Sequence, residues 1–384
     1  MVDFNAVDID KALDFVDDSI EQAEKKDFRI VLNHRDVMEA IKVSSAIQSA
    51  GEGSFESRMI AFKHADNKVT IMLTDNKRTV NMVCDCLEEN MAFNDFVAFN
   101  AATINQLLKV TKNNFIINKK DNEYSVDIIG GNVVIDAIPV DEERFTAVKG
   151  LSKEYNAREF TTMLKSLYPF ASNALRGDRC VNITKTEANS TIMNAASTYQ
   201  LDNYFDCKLP LSDAKIINLL FATEDSTKTF NYNNDSSHVI FFNENVIFKS
   251  EYYKSSKNEF TTEFENLFHK DTVQVSREHV CQLVELSSKL EATYGLSIFS
   301  VNDTNQLVYT LATKRSSSDI IIAGQNQPCN YEHNKAIHVQ AETLKTAISL
   351  FSNDDITIVL DDGKIGITDG VASVIVFGES VTKK

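Results

Sequence analysis

Tryptophan is absent from this sequence, and proline (4) and glycine (12) are sparse for its 384 residues. Collagen-like and low-complexity chains need Gly and Pro in quantity, so those classes are excluded. Nowhere does an apolar run approach the ~20 residues of a membrane-spanning helix. The opening stretch MVDFNAVDID is acidic and lacks the basic and apolar regions of a signal peptide. A cytoplasmic protein is therefore expected. The six cysteines are scattered without metal-ligand spacing. Only Cys84 and Cys86 are close, and alternation along a strand would put both on one face. Reduced thiols are the expectation.

An excess of positive charge is missing as well. The formal net charge is −16, whereas a chain that grips nucleic acid by its phosphates usually carries a basic excess. Chemistry-bearing motifs are equally scarce. Gly51-Glu52-Gly53 lacks the further Gly, the Lys and the helix start of a phosphate loop, and no Gly-x-Ser-x-Gly elbow occurs. The seven histidines are dispersed; His333 and His338, five apart, fall in an expected turn and strand, with no ligand partner at helical spacing. Asp354-Asp355 and Asp361-Asp362 flank expected strands and read as turns. No catalysis, cofactor or metal is expected.

What is present is core material. Hydrophobic residues make up 43% of the chain, with 24 phenylalanines, and the length suggests two or three domains. Residues 1–27 stand apart, with nine acidic and three basic side chains. Ile9, Leu13, Val16, Ile20 and Ala23 make one apolar stripe there, so an added amphipathic helix is expected, packed on its own protein or docking a partner.

From Phe28 onward a two-part unit recurs three times, each half a strand, a helix and a strand hairpin. First halves open with FRIVLNHRDVMEAIKVSSAIQ, EYNAREFTTMLKSLYPFASNAL and TVQVSREHVCQLVELSSKLEA. Second halves open with FVAFNAATINQLLKVTKNN, KLPLSDAKIINLLFATED and IHVQAETLKTAISLFSNDD. Helices are predicted over 33–48, 100–114, 157–179, 211–223, 276–292 and 340–352. No βαβ alternation occurs, so the class is α+β with antiparallel sheets. The implied domains are 28–150, 151–262 and 263–384.

With three such units, the chain resembles the bacterial-type DNA polymerase sliding clamp over nearly everything after residue 27. Thr74-Asp75 ends a strand in the family's manner, and IPVDEERF (138–145) resembles its domain-ending segment. TIMNAASTYQL (191–201) and VIVFGESV (374–381) occupy the places of two further family strands. The resemblance implies three tandem clamp domains, each with two inner helices and outer antiparallel sheets. Two chains would close head to tail as a six-domain ring around duplex DNA, tethering the replicative polymerase without catalysis. It also implies a homodimer, a separate clamp loader ATPase, and partners that bind through a short clamp-binding peptide.

The charges agree in sign with an inner lining. The six predicted helices hold twelve Lys/Arg and nine Asp/Glu, +3 against −19 elsewhere. Arg35, Lys42, Lys109, Lys112, Arg158, Lys165, Arg176, Arg277 and Lys345 are the candidate DNA-facing positives. By position in the family, the partner-peptide pocket would include Val181, Tyr199, Leu201, Val374, Val376, Phe377 and Val381. The subunit interface would set Val133 and Ile135 against Leu286 and Leu290. The sequence departs from its relatives in having Thr198-Tyr199-Gln200 in place of a Gly-His-Arg-like loop. It also has Gly378-Glu379 running on to Lys384 where they have a Met-Pro tail. A divergent clamp, phage-encoded and with its own peptide preference, would fit. The alternative is a strand-rich viral structural protein, disfavoured by a helix in every half-unit.

Overall fold

The computed structural model describes residues 28–50, 54–65, 68–87, 95–111, 114–120, 123–128, 131–147, 152–172, 179–192, 194–256, 258–289, 296–312, 317–322, 329 and 331–383. The helix expected in 1–27, and candidates Lys112, Arg176 and Leu290, lie outside these residues. The first repeat runs β1 (Phe28–Asn33), α1 (His34–Ala50), β2 (Met59–Ala65), β3 (Lys68–Thr74), β4 (Thr79–Asp85), β5 (Asp95–Asn100), α2 (Ala101–Leu108), β6 (Asn114–Lys120), β7 (Glu123–Ile128) and β8 (Gly131–Ile135). The second runs β9 (Lys153–Asn156), α3 (Ala157–Ser172), β10 (Cys180–Ile183), β11 (Glu187–Ile192), β12 (Ala195–Gln200), β13 (Cys207–Pro210), α4 (Leu211–Phe221), β14 (Thr229–Asn234), β15 (His238–Phe242) and β16 (Val246–Glu251). The third runs α5 (Thr261–Phe268), β17 (Val273–Ser276), α6 (Arg277–Lys289), β18 (Leu296–Val301), β19 (Leu307–Ala312), β20 (Ser317–Ile321), β21 (Lys335–Gln340), α7 (Ala341–Ile348), β22 (Asp355–Asp361), β23 (Lys364–Thr368), β24 (Ala372–Phe377) and β25 (Glu379–Thr382).

All six predicted helices form, each following its strand without an intervening residue. Four of them are capped by a side chain in the first turn, whereas Pro210 and Gln340, ahead of the other two, make no side-chain cap bond. Asn33 accepts from the Arg35 amide at 2.9 Å, and Asn100 from those of Ala102 and Thr103 at 2.9 and 3.3 Å. Asn156 accepts from Glu159 at 3.0 Å and Ser276 from His279 at 3.4 Å. Within each repeat the two helices are tied by one polar side chain on a backbone carbonyl. His34 Nε2 donates to Leu108 O at 2.9 Å, the Tyr168 hydroxyl to Ala214 O, and Arg277 Nη1 to Phe351 O at 3.2 Å.

The chain divides into two compact units, one running to Glu154 and adding Phe230–Glu251, the other Tyr155–Thr229 with Tyr252–Lys384. The first unit holds a four-stranded sheet, β1-β6-β7-β8, and an eight-stranded one, β5-β2-β3-β4-β16-β15-β14-β9. The second holds an eight-stranded sheet, β13-β10-β11-β12-β24-β23-β22-β17, and a five-stranded one, β20-β19-β18-β21-β25. Each eight-stranded sheet joins strands of two repeats, through β4–β16 in one and β12–β24 in the other.

The strand before each second helix is covered by the segment that leaves its repeat. Ile138 N donates to Ala98 O on β5 at 2.8 Å, Lys208 N on β13 donates to Tyr253 O at 2.8 Å, and β25 pairs with β21 from Lys335↔Thr382 to His338↔Glu379. The threefold pattern thus extends to how each edge is protected.

In the second unit a hydroxyl chain crosses the core beside β18 and β19. Tyr309 OH lies 2.7 Å from Ser287 Oγ and donates to Ser297 Oγ at 2.8 Å, and all three residues are fully buried. Tyr309→Phe is expected to lower unfolding free energy by about 1–3 kcal/mol, because both serine hydroxyls lose a buried partner. A denaturant midpoint unchanged from wild type would show that the chain adds nothing to stability.

Candidate partner groove and helix faces

Two adjacent rows across the second unit's eight-stranded sheet, on opposite faces by register, differ in chemistry. One row runs Leu209, Val181, Ser190, Ser197, Val374, Ile367, Ile358 and Val273, none more than 4% exposed. The adjacent row points the other way and is polar throughout: Lys208, Asn182, Asn189, Thr198, Ser373, Thr368, Thr357 and Gln274. Over this polar face lie the connecting segment before α5 and α5 itself. Asn182 holds the segment as a strand would, accepting from Ser256 N at 2.8 Å and donating to Ser256 O at 2.6 Å.

Helix α5 packs by Phe264 and Leu267 onto Ala196, Val359 and Ile375, with Phe260, Phe268 and Phe377 alongside. Gly366 makes this approach possible. A Cβ there would lie 2.5 Å from Val359 Cγ1 and 2.8 Å from Leu267 Cδ2, so any side chain would lift the helix.

Between α5 and the polar face is a groove of about 610 Å³. Thr198, Ser373, Thr368 and Thr357 line it from the sheet, Phe264, Phe268 and Glu265 from α5, and Glu187, Gln200 and Leu201 from the β11 and β12 ends. The Phe264 and Phe268 rings stack with centroids 6.3 Å apart. Glu187 Oε2 accepts from Thr198 Oγ1 at 3.0 Å and from Asn258 Nδ2 at 3.5 Å. Apolar walls over a hydroxyl-lined floor suit an extended segment that buries one or two large side chains.

Of the seven residues expected to form a pocket, only Leu201 lines this groove. Val181, Val374 and Val376 are fully buried. They belong to the opposite, apolar face, where strand alternation puts them. Tyr199 pairs with Ala372 on that same face; burial, then Asp369 and Glu159, push its hydroxyl pKa up. Phe377 contacts Phe260 at 5.5 Å beneath α5, and Val381 lies on β25. Position in the family thus gathers residues from both faces of the sheet, because position in the chain does not tell which face of a strand a residue takes. The missed signal was Phe260, Phe264 and Leu267 at helical spacing, a helix through which the expected boundary at 262 was drawn.

The helix-face positives sort similarly. Arg35, Lys42 and Lys109 in the first unit are exposed, as are Arg158, Lys165 and Lys345 in the second. Arg35 is paired with Glu39 at 3.0 Å. Arg277 is a correction, since it is half-buried and its guanidinium caps the chain end after α7 rather than facing solvent. Lys215 on α4 and Lys289 on α6 are exposed and were passed over among the candidates.

The interface candidates differ in exposure. Val133 pairs with Val126 and Ile135 with Tyr124, so both take the inward face of β8. Val134 between them is the exposed one, at 55%, on the edge of its sheet. Leu286 is exposed, at 43%, and Ile321 at 48% lies on the edge strand β20. Among the described residues no group of three or more His, Cys, Asp or Glu could hold a metal ion, and no helix is long and apolar enough to cross a membrane. The six cysteines are unbridged, and burial pushes the Cys84 thiol up to about 12.

No protein-family model matches the sequence, and no curated protein does. Solved structures do. The Helicobacter pylori beta clamp in complex with 3,4-difluorobenzamide superimposes with TM-score 0.74 at 14% identity, covering 92% of this chain and 100% of that one. The same protein bound to DNA ligase peptide gives 0.71 at 13%, covering 91% and 99%. A Pseudomonas aeruginosa sliding clamp (DNA polymerase III subunit beta) bound to griselimycin gives 0.73 at 9%, covering 92% and 99%. At such identities the likeness establishes the fold, and the chain has the beta-clamp fold.

Proposed function

We propose that this chain is a DNA sliding clamp, a homodimer that closes head to tail around duplex DNA and tethers the replicative polymerase. The observation that carries this reading is the fold likeness over 92% of the chain and all of the Helicobacter pylori clamp, with the chain's positives placed on exposed helix faces. Scattered Lys and Arg on an acidic protein attract the backbone without gripping it. In this reading the three repeats are the three domains of each subunit, the third beginning with α5. The groove beside α5 takes a short peptide from the polymerase and other partners, and a separate ATP-driven loader opens the ring. The protein itself performs no chemistry and works by topology.

The ring would close at two sheet edges that carry no partner strand among the described residues, β8 with exposed Val134 on one subunit and β20 with exposed Ile321 on the other. Edge-to-edge pairing would cover both edges, and head-to-tail contacts close as a ring. Light scattering is expected to give about 86 kDa, twice the 43.1 kDa chain, falling to the monomer mass in Val134→Asp/Ile321→Asp. With a matching loader, wild type should stay on nicked circular DNA and run off once the circle is cut. A monomer at every concentration, or equal retention on cut DNA, would sink the clamp reading.

A further inference from the structure

We propose that the groove beside α5 selects peptides that combine an apolar anchor with a lysine or arginine; this rests on the groove being the partner site proposed above. Two independent observations point to a cationic group. The first is charge. Among the described residues lining the groove are two carboxylates, Glu187 and Glu265, and no Lys, Arg or His. Among the described residues Glu187 is held in place by neutral donors, the Thr198 hydroxyl at 3.0 Å and the Asn258 and Asn189 amides at 3.5 and 3.4 Å. These orient the carboxylate without neutralising it.

The second is the direction of the floor's hydrogen bonds. Thr198 spends its hydroxyl proton on Glu187, Ser373 on Thr368 Oγ1 at 2.9 Å, and Thr368 on the Ala372 carbonyl at 2.8 Å. Thr368 Oγ1 already accepts from Ser373 and from the Gly370 amide at 3.1 Å, so it is the Thr198 and Ser373 oxygens, their own protons committed, that offer lone pairs to an incoming side chain. Lysine brings three donors and arginine five, with no acceptor, whereas a carboxylate brings only acceptors. The floor and the rim therefore ask for the same chemistry. The stacked Phe264 and Phe268 rings and Leu201 supply the apolar contact, and a cation beside them also benefits from the ring faces. An acidic peptide would meet like charge at the rim and no complementary donor from those hydroxyls.

The test is fluorescence anisotropy on the full chain with three labelled peptides of identical Leu-Phe anchor, flanked by two lysines, two glutamines or two glutamates. The lysine peptide is expected to bind about fivefold tighter than the glutamine one, as a partly exposed ion pair gives, and the glutamate peptide weakest. The spread should shrink at high salt and vanish in Glu187→Gln/Glu265→Gln. Phe268→Ala, with its fold checked by circular dichroism, should weaken all three. Equal affinities that all fall in Phe268→Ala would overturn the charge preference and leave the groove as partner site. No binding by any of the three, or binding indifferent to Phe268→Ala, would overturn the groove reading and this proposal with it.

Discussion

Val374→Asp is expected to unfold the second unit rather than weaken a ligand contact. Val374 is fully buried between Ser197 and Ile367 in the row that crosses all eight strands. The one hydroxyl beside it is taken, since Ser197 Oγ donates to Ser190 O at 2.8 Å. A carboxylate there would have no cation in its row and no water. Burying an unpaired charge costs several kcal/mol, on the order of 4 or more. A domain's whole stability is only about 5–15 kcal/mol. Thermal melting by circular dichroism is the measurement, with Val381→Asp as control, because Val381 is 36% exposed on β25 and a charge there reaches solvent. If Val374→Asp melts like wild type while losing peptide binding, Val374 lines the groove after all and the face assignment is wrong.

The second large effect is in the first unit, at the turn that follows Thr74. Asp75 and Arg78 form an ion pair at 2.8 Å, with side chains 1% and 10% exposed. The other Asp75 oxygen accepts from the amides of Lys77 at 3.0 Å and Arg78 at 2.7 Å, and Asn76 takes φ 73° to complete the turn. Neighbouring parts are tied on. Asn76 Nδ2 donates to Glu56 at 3.1 Å, and Arg144 pairs with the same carboxylate. Asp75→Ala would remove the side-chain acceptor of two backbone amides and the carboxylate facing a buried guanidinium. Losing one partner of a buried pair costs roughly 3–5 kcal/mol, read as a lower urea midpoint with unchanged slope. Asp75→Ala/Arg78→Met should recover much of that loss, since the penalty lies in the stranded charge. A double variant no more stable than the single one would place the effect in the lost turn bonds instead.

Much of the fold was legible in the sequence because its signals are local. Asn33, Asn100, Asn156 and Ser276 sit where a strand must give way to a helix, and each caps the helix that follows. Apolar spacing then carries the helix onward. Where the reading ran long, as in 100–114 against Ala101–Leu108, the stop is made by Thr111, whose amide and hydroxyl turn back to the Leu107 and Leu108 carbonyls. Apolar periodicity does not register such a bond.

The candidate site was far less legible. Val133, Val181, Val374 and Val376 are β-branched residues in strands, and that chemistry is the same whether a strand packs inward or faces a ligand. Thr198, Thr357, Thr368 and Ser373 look in the sequence like unremarkable strand residues. They become one floor only because β12, β24, β23 and β22 lie side by side.

By itself, then, the sequence determined the threefold unit, the helix starts, the α+β class and the acidic balance, because propensity, capping and periodicity act over a few residues. The tertiary structure alone decided that β4 joins β16 and β12 joins β24, which face each strand shows, and that Arg277 caps a helix pair while Glu187 rims a groove. Those depend on pairings between residues about seventy or more apart, and pairing register, which no local stretch encodes, chooses the face on which each side chain emerges.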